Sequence, residues 1–229
     1  MAIMKPVAPV PPACFPQILP LSAPRCWRAD STRALPLTIT SSADAGGELP
    51  ARLQPNAQRS LWHGGGFSLG VDLGAARTGL AIGRGITQPR PLTVLKLRGQ
   101  KLELMLLDVA QQQEADELIV GLPVSADGRE TPQSNKVRSV VGRLAVQAAD
   151  RGLRVYLQDE HGTSIDALEY MISRGVKRTA RDVKSDAYAA VMILERYFSS
   201  LGQGAQIVLP RQQELQDKLI LKSAQDAEI

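Results

Sequence analysis

Cysteine is nearly absent from this 229-residue chain: only Cys14 and Cys26 occur, both within the first 60 residues. The remainder therefore cannot carry a disulfide scaffold, a cysteine-ligated zinc site or a thiol nucleophile. Histidine is equally scarce, with only His63 and His161. A histidine-rich metal centre or a Ser–His triad has very little material to work with. Aromatic residues make up 4% of the chain, too few for a platform that stacks single-stranded bases. A global excess of one charge is missing too. Residues 1–60 hold six Lys/Arg and three Asp/Glu, and the rest is nearly balanced at 21 and 20. The formal charge of +4 thus sits mostly in the N-terminal stretch. Any nucleic-acid face beyond it must be a local patch.

What is present is a globular composition, 44% hydrophobic and 22% charged, with length for one ordinary domain and an appendage. Ten of the fifteen prolines fall in residues 1–60, and Pro6 to Pro24 carries no charge. Seven prolines interrupt that stretch, so it cannot form a membrane helix and makes a poor secretory core. No acid precedes Asp30, and arginine and Ser/Thr are scattered from Arg25 to Ser42. That pattern reads as an organelle transit peptide, with an ordinary disordered extension as the other reading. A chloroplast address is expected. The alternative is the mitochondrion, but proline breaks the amphipathic helix common in mitochondrial presequences. Gly64-Gly65-Gly66 reads as the last flexible link before the fold.

Beyond it, strand and helix signals alternate. Phe67 to Asp72 and Thr78 to Gly83 are apolar runs joined by Gly74-Ala75-Ala76-Arg77, a predicted hairpin. Leu92 to Leu97 alternates as a third strand. Leu102, Met105, Leu106, Val109 and Ala110 follow helical spacing. Glu117 to Gly121 is a fourth strand, ending at Leu122-Pro123. Thr131-Pro132 opens a helix with a capping hydroxyl and a proline at its first position. Leu153 to Leu157 is a fifth strand. Thr163 to Asp166 resembles a capping box, and a last helix runs from about Arg181 to Phe198. The predicted class is α/β: a five-stranded mixed sheet, a three-strand meander followed by α/β crossovers, flanked by helices. The expected organisation is residues 1–62 as disordered leader and linker, 63–200 as the domain, and 201–229 as a polar extension able to form a short helix.

Certain acids stand out. Asp72 ends the first strand, Asp159 and Glu160 lie just beyond the fifth, and Asp186 sits in an otherwise apolar helix. A carboxylate in such a helix is costly unless something compensates it. A divalent cation would, and clustered acids holding Mg²⁺ cut phosphodiesters. Other readings remain open from spacing alone. Asp72 could be a turn residue and Asp186 a first-turn acid favoured by the helix dipole.

Four ordered blocks carry a resemblance. Gly70-Val71-Asp72-Leu73-Gly74-Ala75-Ala76-Arg77-Thr78-Gly79-Leu80-Ala81 resembles the GxDxGxxRxGxA signature of the YqgF family. Val120-Gly121-Leu122-Pro123 with Asp127-Gly128 resembles that family's VGLP…DG block. Asp159-Glu160-His161-Gly162-Thr163-Ser164 resembles its DER block, and Lys184-Ser185-Asp186 through Glu195 its closing block. Together they span about residues 67–198. These are RNase H-like proteins, described as Holliday-junction-resolvase-like or pre-16S rRNA nucleases. The resemblance implies an RNase H-like fold and a nuclease dependent on Mg²⁺ or Mn²⁺. It implies Asp72, Glu160 and Asp186 as the catalytic, metal-holding set, with Asp159 beside it. Arg77, Lys184 and His161 are implied substrate-phosphate contacts, and Gly121-Leu122-Pro123 a cleft wall.

One departure stands in the DER block, whose arginine is His161 here. Histidine is neutral much of the time near neutral pH, so phosphate binding is expected to be weaker or to be helped by Arg154 or Arg174. The implied substrate is structured RNA, above all precursor ribosomal RNA in plastid ribosome biogenesis. A DNA four-way-junction resolvase and a non-cleaving RNA-binding assembly factor are the alternatives.

Overall fold

The computed structural model describes residues 37–41, 50, 53–59, 66–85, 87–125 and 127–225. Most of the proline-rich leader, and with it the expected transit peptide, lies outside the described residues. So does the Gly64-Gly65 link. No helix among the described residues is long and apolar enough to cross a membrane.

One seven-stranded mixed sheet organises the chain, in the order β1-β7-β6-β5-β2-β3-β4. The apolar runs Phe67–Leu73 (β2) and Thr78–Arg84 (β3) pair antiparallel, with Asp72 opposite Gly79. Thr87–Leu95 (β4) adds antiparallel to β3 and closes the meander. Helix α1, Gly99–Gln112, then leads to β5, Ala115–Leu122, which runs parallel to β2. Helix α2, Pro132–Asp150, leads in turn to β6, Arg154–Asp159, parallel to β5. At the start of α2, Thr131 supplies the capping hydroxyl that the sequence signals, and Ser134 adds the reciprocal bond. Helices α3, Thr163–Ser173, and α4, Arg178–Ser199, follow. All five predicted strands and four predicted helices are present, in the predicted order.

Side chains alternate across the sheet, so each strand feeds two layers. Leu69, Val71, Leu118 and Val120 pack under α1 and α2, in a cluster with Leu106 and Leu144. The opposite face carries Ala81, Ile119 and Tyr156 against Ala190, Ile193 and Tyr197 of α4. Ser68, Gly70 and Asp72 share this α4 face by the period of two.

Three expectations need correction. The sheet has seven strands, not five. Gln206–Pro210 (β7) joins β6 antiparallel, and Leu37–Ser41 (β1) joins β7 antiparallel. Residues 201–229 are thus more than a polar extension, because Ile207, Val208 and Leu209 are buried, and Gln213–Gln225 (α5) follows. The packed unit also begins before residue 63: Leu53, Asn56 and Ala57 are buried around a single 3-10 turn, Asn56–Gln58. Finally, α3 is not capped by Thr163. Gly162, in the left-handed region at φ 77°, occupies the cap, and Thr163 is buried as the first helical residue.

Candidate active site

Strands β2, β5 and β6 run parallel, so their C-terminal ends gather at one edge of the sheet, where open α/β sheets place ligands. Asp72 lies one residue before the end of β2, and Glu160 follows directly after β6. The Glu160 N–H donates to the Leu122 carbonyl at 3.2 Å, which ties the acid's backbone to the end of β5. Asp186 comes from α4, across the face that Asp72 occupies.

Glycines set these approaches. An added Cβ on Gly79, the residue opposite Asp72, would lie 1.8 Å from the Asp186 carbonyl oxygen. On Gly70 it would lie 2.8 Å from the Ala190 carbonyl oxygen. Helix α4 therefore rests directly on backbone, and this contact brings Asp186 to Asp72. On Gly121 a Cβ would lie 2.0 Å from Glu160 Oε2, so the missing side chain is the slot that receives this carboxylate.

The electrostatics agree with a gathered set. Burial pushes the Asp72 carboxyl up to about 7, and the Asp186 charge adds to the effect. Burial, then the charges of Asp72 and Asp159, push Glu160 up to about 8. Asp72 is thus the middle member of a row. Among the described residues no three ligating side chains close around a single point. Arg77 supplies the positive charge at one end: its Nε lies 2.7 Å from Asp186 Oδ2, and its Nη1 donates to the Asp182 carbonyl at 3.1 Å.

These residues fit a divalent cation. The donors are carboxylate oxygens, the hard ligands that Mg²⁺ and Mn²⁺ prefer. Two of the three carboxyls are held towards their neutral form by burial and by one another, a penalty that a cation would relieve. Glu160 Oε2 is buried without a hydrogen-bond partner, an acceptor that no protein donor satisfies.

The raised values set a pH dependence of stability. Both carboxyls have folded-state values above their ordinary ones, 3.8 and 4.5. The folded state therefore binds their protons more tightly than the unfolded state does. The associated stability is full below about pH 4 and is lost as pH rises through 7 to 8. In EDTA the melting temperature should fall across this window through these two groups, and a divalent cation should raise it more at pH 8 than at pH 5. Thermal melts with and without Mg²⁺ at both values check this. An equal shift at the two pH values would show that these carboxyls do not bind the ion.

The remaining predicted contacts are placed unevenly. Lys184 is exposed on α4, two residues before Asp186. His161 is exposed, its N–H bonded to Asp159 Oδ1 at 2.8 Å. Arg154 cannot assist a phosphate: it is 4% exposed and paired with Glu117 at the other end of the sheet. Arg174 stacks on Tyr170 and donates to Gln88.

Other functional side chains were not signalled by the sequence. Arg196 donates to the His161 carbonyl at 2.7 Å and to the Asp159 carbonyl at 3.3 Å, clamping the loop that presents Glu160. An open cavity of about 220 Å³ lies beside Gly74 and Ala75, with Leu102 and Val137 in its wall and Arg98, Gln133 and Lys136 among its lining residues. No local pattern marks either feature, because both depend on how separate elements pack.

Comparison with known proteins identifies similar chains. Residues 66–200 match the family described as "RuvX: Holliday junction resolvase". A "Putative pre-16S rRNA nuclease" of Cronobacter sakazakii is 33% identical over 139 residues, 60% of this chain and 99% of that protein. The protein of the same name from Salmonella dublin is 35% identical over 132 residues, 57% of this chain and 94% of that protein. Among solved structures, "Thermus thermophilus RuvC structure" aligns with a TM-score of 0.40 at 20% identity, covering 62% of this chain and 99% of that one.

Proposed function

The chain belongs to the RuvX (YqgF) family, and from that membership and the acid row we propose that it is a phosphodiester hydrolase acting on precursor ribosomal RNA. The observation that carries the reading is the placement of Asp72, Glu160 and Asp186 at one end of the parallel strands, with Glu160 Oε2 buried and unpartnered. The curated relatives, named as pre-16S rRNA nucleases, align over nearly their whole length, which supports a ribosomal precursor as substrate.

Asp72 and Asp186 would hold a divalent cation, proposed as Mg²⁺ or Mn²⁺, with Glu160 beside them. Such an ion would supply a Lewis acid for water activation and for the charge on the leaving oxygen. Glu160, seated in the slot that Gly121 leaves, would orient the attacking water. Arg77, now held by Asp186, offers its remaining donors to the substrate phosphate, and a guanidinium does this with two parallel bonds. Lys184 and His161 contact the backbone on either side. Arg196 keeps the Glu160 loop in place.

The plastid address remains part of the proposal, with the mitochondrion as the alternative. The proline-rich, acid-poor start of the chain supports it, and a reporter fused to residues 1–65 tests it by where it accumulates.

The activity is tested with the full chain, a precursor rRNA and a DNA four-way junction, each with Mg²⁺, Mn²⁺ or EDTA. Metal-dependent cleavage of the RNA is expected. Cleavage of the junction alone would favour the resolvase reading suggested by the family's description. Binding without cleavage in either ion would favour an assembly factor.

His161→Arg is expected to tighten RNA binding about tenfold, the worth of one charge-assisted hydrogen bond, and to steepen its salt dependence through one more phosphate contact. Filter binding over a salt series measures both. Weaker binding by a folded variant would assign the imidazole a role that arginine cannot fill.

A further inference from the structure

At the end of the sheet remote from the acid row, three polar side chains stand in register: Ser68 on β2, Glu117 on β5 and Arg154 on β6. All three are buried, Glu117 at 0% and Arg154 at 4% exposure. Glu117 and Arg154 approach to 3.5 Å, too loose a pair by itself to offset the cost of removing both charges from water. Further partners of two kinds meet them. Ser68 Oγ and Tyr197 Oη donate to Glu117 at 2.7 and 2.6 Å. The other partners come from the segment that precedes the domain. The Asn56 N–H donates to Glu117 Oε2 at 3.1 Å. Arg154 donates to Asn56 Oδ1 at 2.6 Å and to the Gln54 carbonyl at 2.8 Å. Tyr156 donates to the Leu53 carbonyl at 2.8 Å, and the Ala57 N–H donates to Tyr197 Oη at 3.2 Å.

These contacts read a peptide backbone as a binding site does. Two carbonyls, two amides and one asparagine side chain are each met by a side chain of the sheet or of α4. Leu53 and Ala57 bury their apolar groups in the same place. The seat lies wholly within residues 66–200, the span that matches the family, whereas the segment lies outside it. We infer that the domain carries a peptide-binding seat, built by Glu117, Arg154, Tyr156 and Tyr197, and that Leu53–Gln58 of this same chain is its resident ligand. Stripping the segment away would leave a buried guanidinium and carboxylate short of partners, so the segment is part of the mature protein. Any maturation that removes the leader therefore cuts upstream of Leu53. Tyr197 belongs to the helix that carries Asp186, so the seated segment also anchors the far end of α4. The inference does not depend on the chemistry of the acid row.

The test keeps the whole chain. A specific protease site is inserted within residues 60–65, the protein is purified intact, and the site is then cut. The N-terminal fragment is expected to co-elute with the remainder in gel filtration at one-to-one stoichiometry. Asn56→Ala in the cut protein removes a hydrogen bond from a charged donor and should speed release of the fragment about 10- to 100-fold. That comparison separates the seat from the β1–β7 pairing, which the substitution leaves untouched. A fragment that leaves while the remainder keeps its melting temperature overturns the inference. So does release that Asn56→Ala does not change.

Discussion

Asp72→Asn should abolish metal-dependent cleavage while the fold and most RNA binding survive. Losing partners outside the ligand shell alone costs metalloenzymes about 10- to 100-fold, so losing a carboxylate from the shell itself should cost at least about 100-fold. Asparagine keeps the shape and one oxygen but removes the charge that holds a hard cation. Affinity for RNA should persist, because the proposed phosphate contacts, Arg77 and Lys184, are cations rather than carboxylates. Without metal the variant should melt no lower than the parent near pH 8. Asp72 is then a carboxyl whose charge burial and Asp186 disfavour, and its removal also eases Glu160. Cleavage rate, RNA affinity and melting temperature in EDTA and in Mg²⁺ give the comparison. Undiminished Mg²⁺-dependent cleavage would remove Asp72 from the site and with it the proposed chemistry.

Much of this was legible in the sequence for local reasons. Strands β2, β3, β5 and β6 are apolar runs closed by glycine, proline or aspartate, and α2 begins at a hydroxyl cap followed by proline. Such signals need no knowledge of distant residues. Asp72 and Asp186 stood out because a carboxylate beside apolar neighbours is expensive, whereas the choice of Glu160 over Asp159 came with the family resemblance. Strands β1 and β7 carry no local signal because each is only five residues long and is a strand only through its neighbours, β7 through β6 and β1 through β7. Leu37–Ser41 sits in a proline-rich stretch, and Ile207-Val208-Leu209 precedes a Gln-rich one. Glu117 read as the polar start of a strand, and Arg154 as a helper for phosphate. Only the packing of β5, β6, α4 and the preceding segment shows that the two residues face one another in the interior.

Gly79→Ala should produce the largest loss of stability of any small substitution near the site. The added methyl would meet the Asp186 carbonyl oxygen at 1.8 Å, its carbonyl carbon at 2.1 Å and the Ala187 nitrogen at 2.7 Å. All three are backbone atoms in the interior of α4, so no rotamer change relieves the clash. The helix must lift from the sheet, losing the contacts that Ala190 and Leu194 make at Gly70. Overpacking of this kind costs up to about 3 kcal/mol. For a chain of this size that lowers the melting temperature by about 6–12 °C. Cleavage should fall as well, because the same displacement carries Asp186 away from Asp72. Gly121→Ala provides the contrast. Its methyl meets Glu160 Oε2 at 2.0 Å and Ile193 Cδ1 at 2.6 Å, both ends of side chains that can swing aside. That variant should lose activity through the displaced carboxylate yet melt within a few degrees of the parent. A Gly79→Ala protein that melts like the parent would mean that α4 does not rest on β3 as described. The approach of Asp186 to Asp72 would then need another cause.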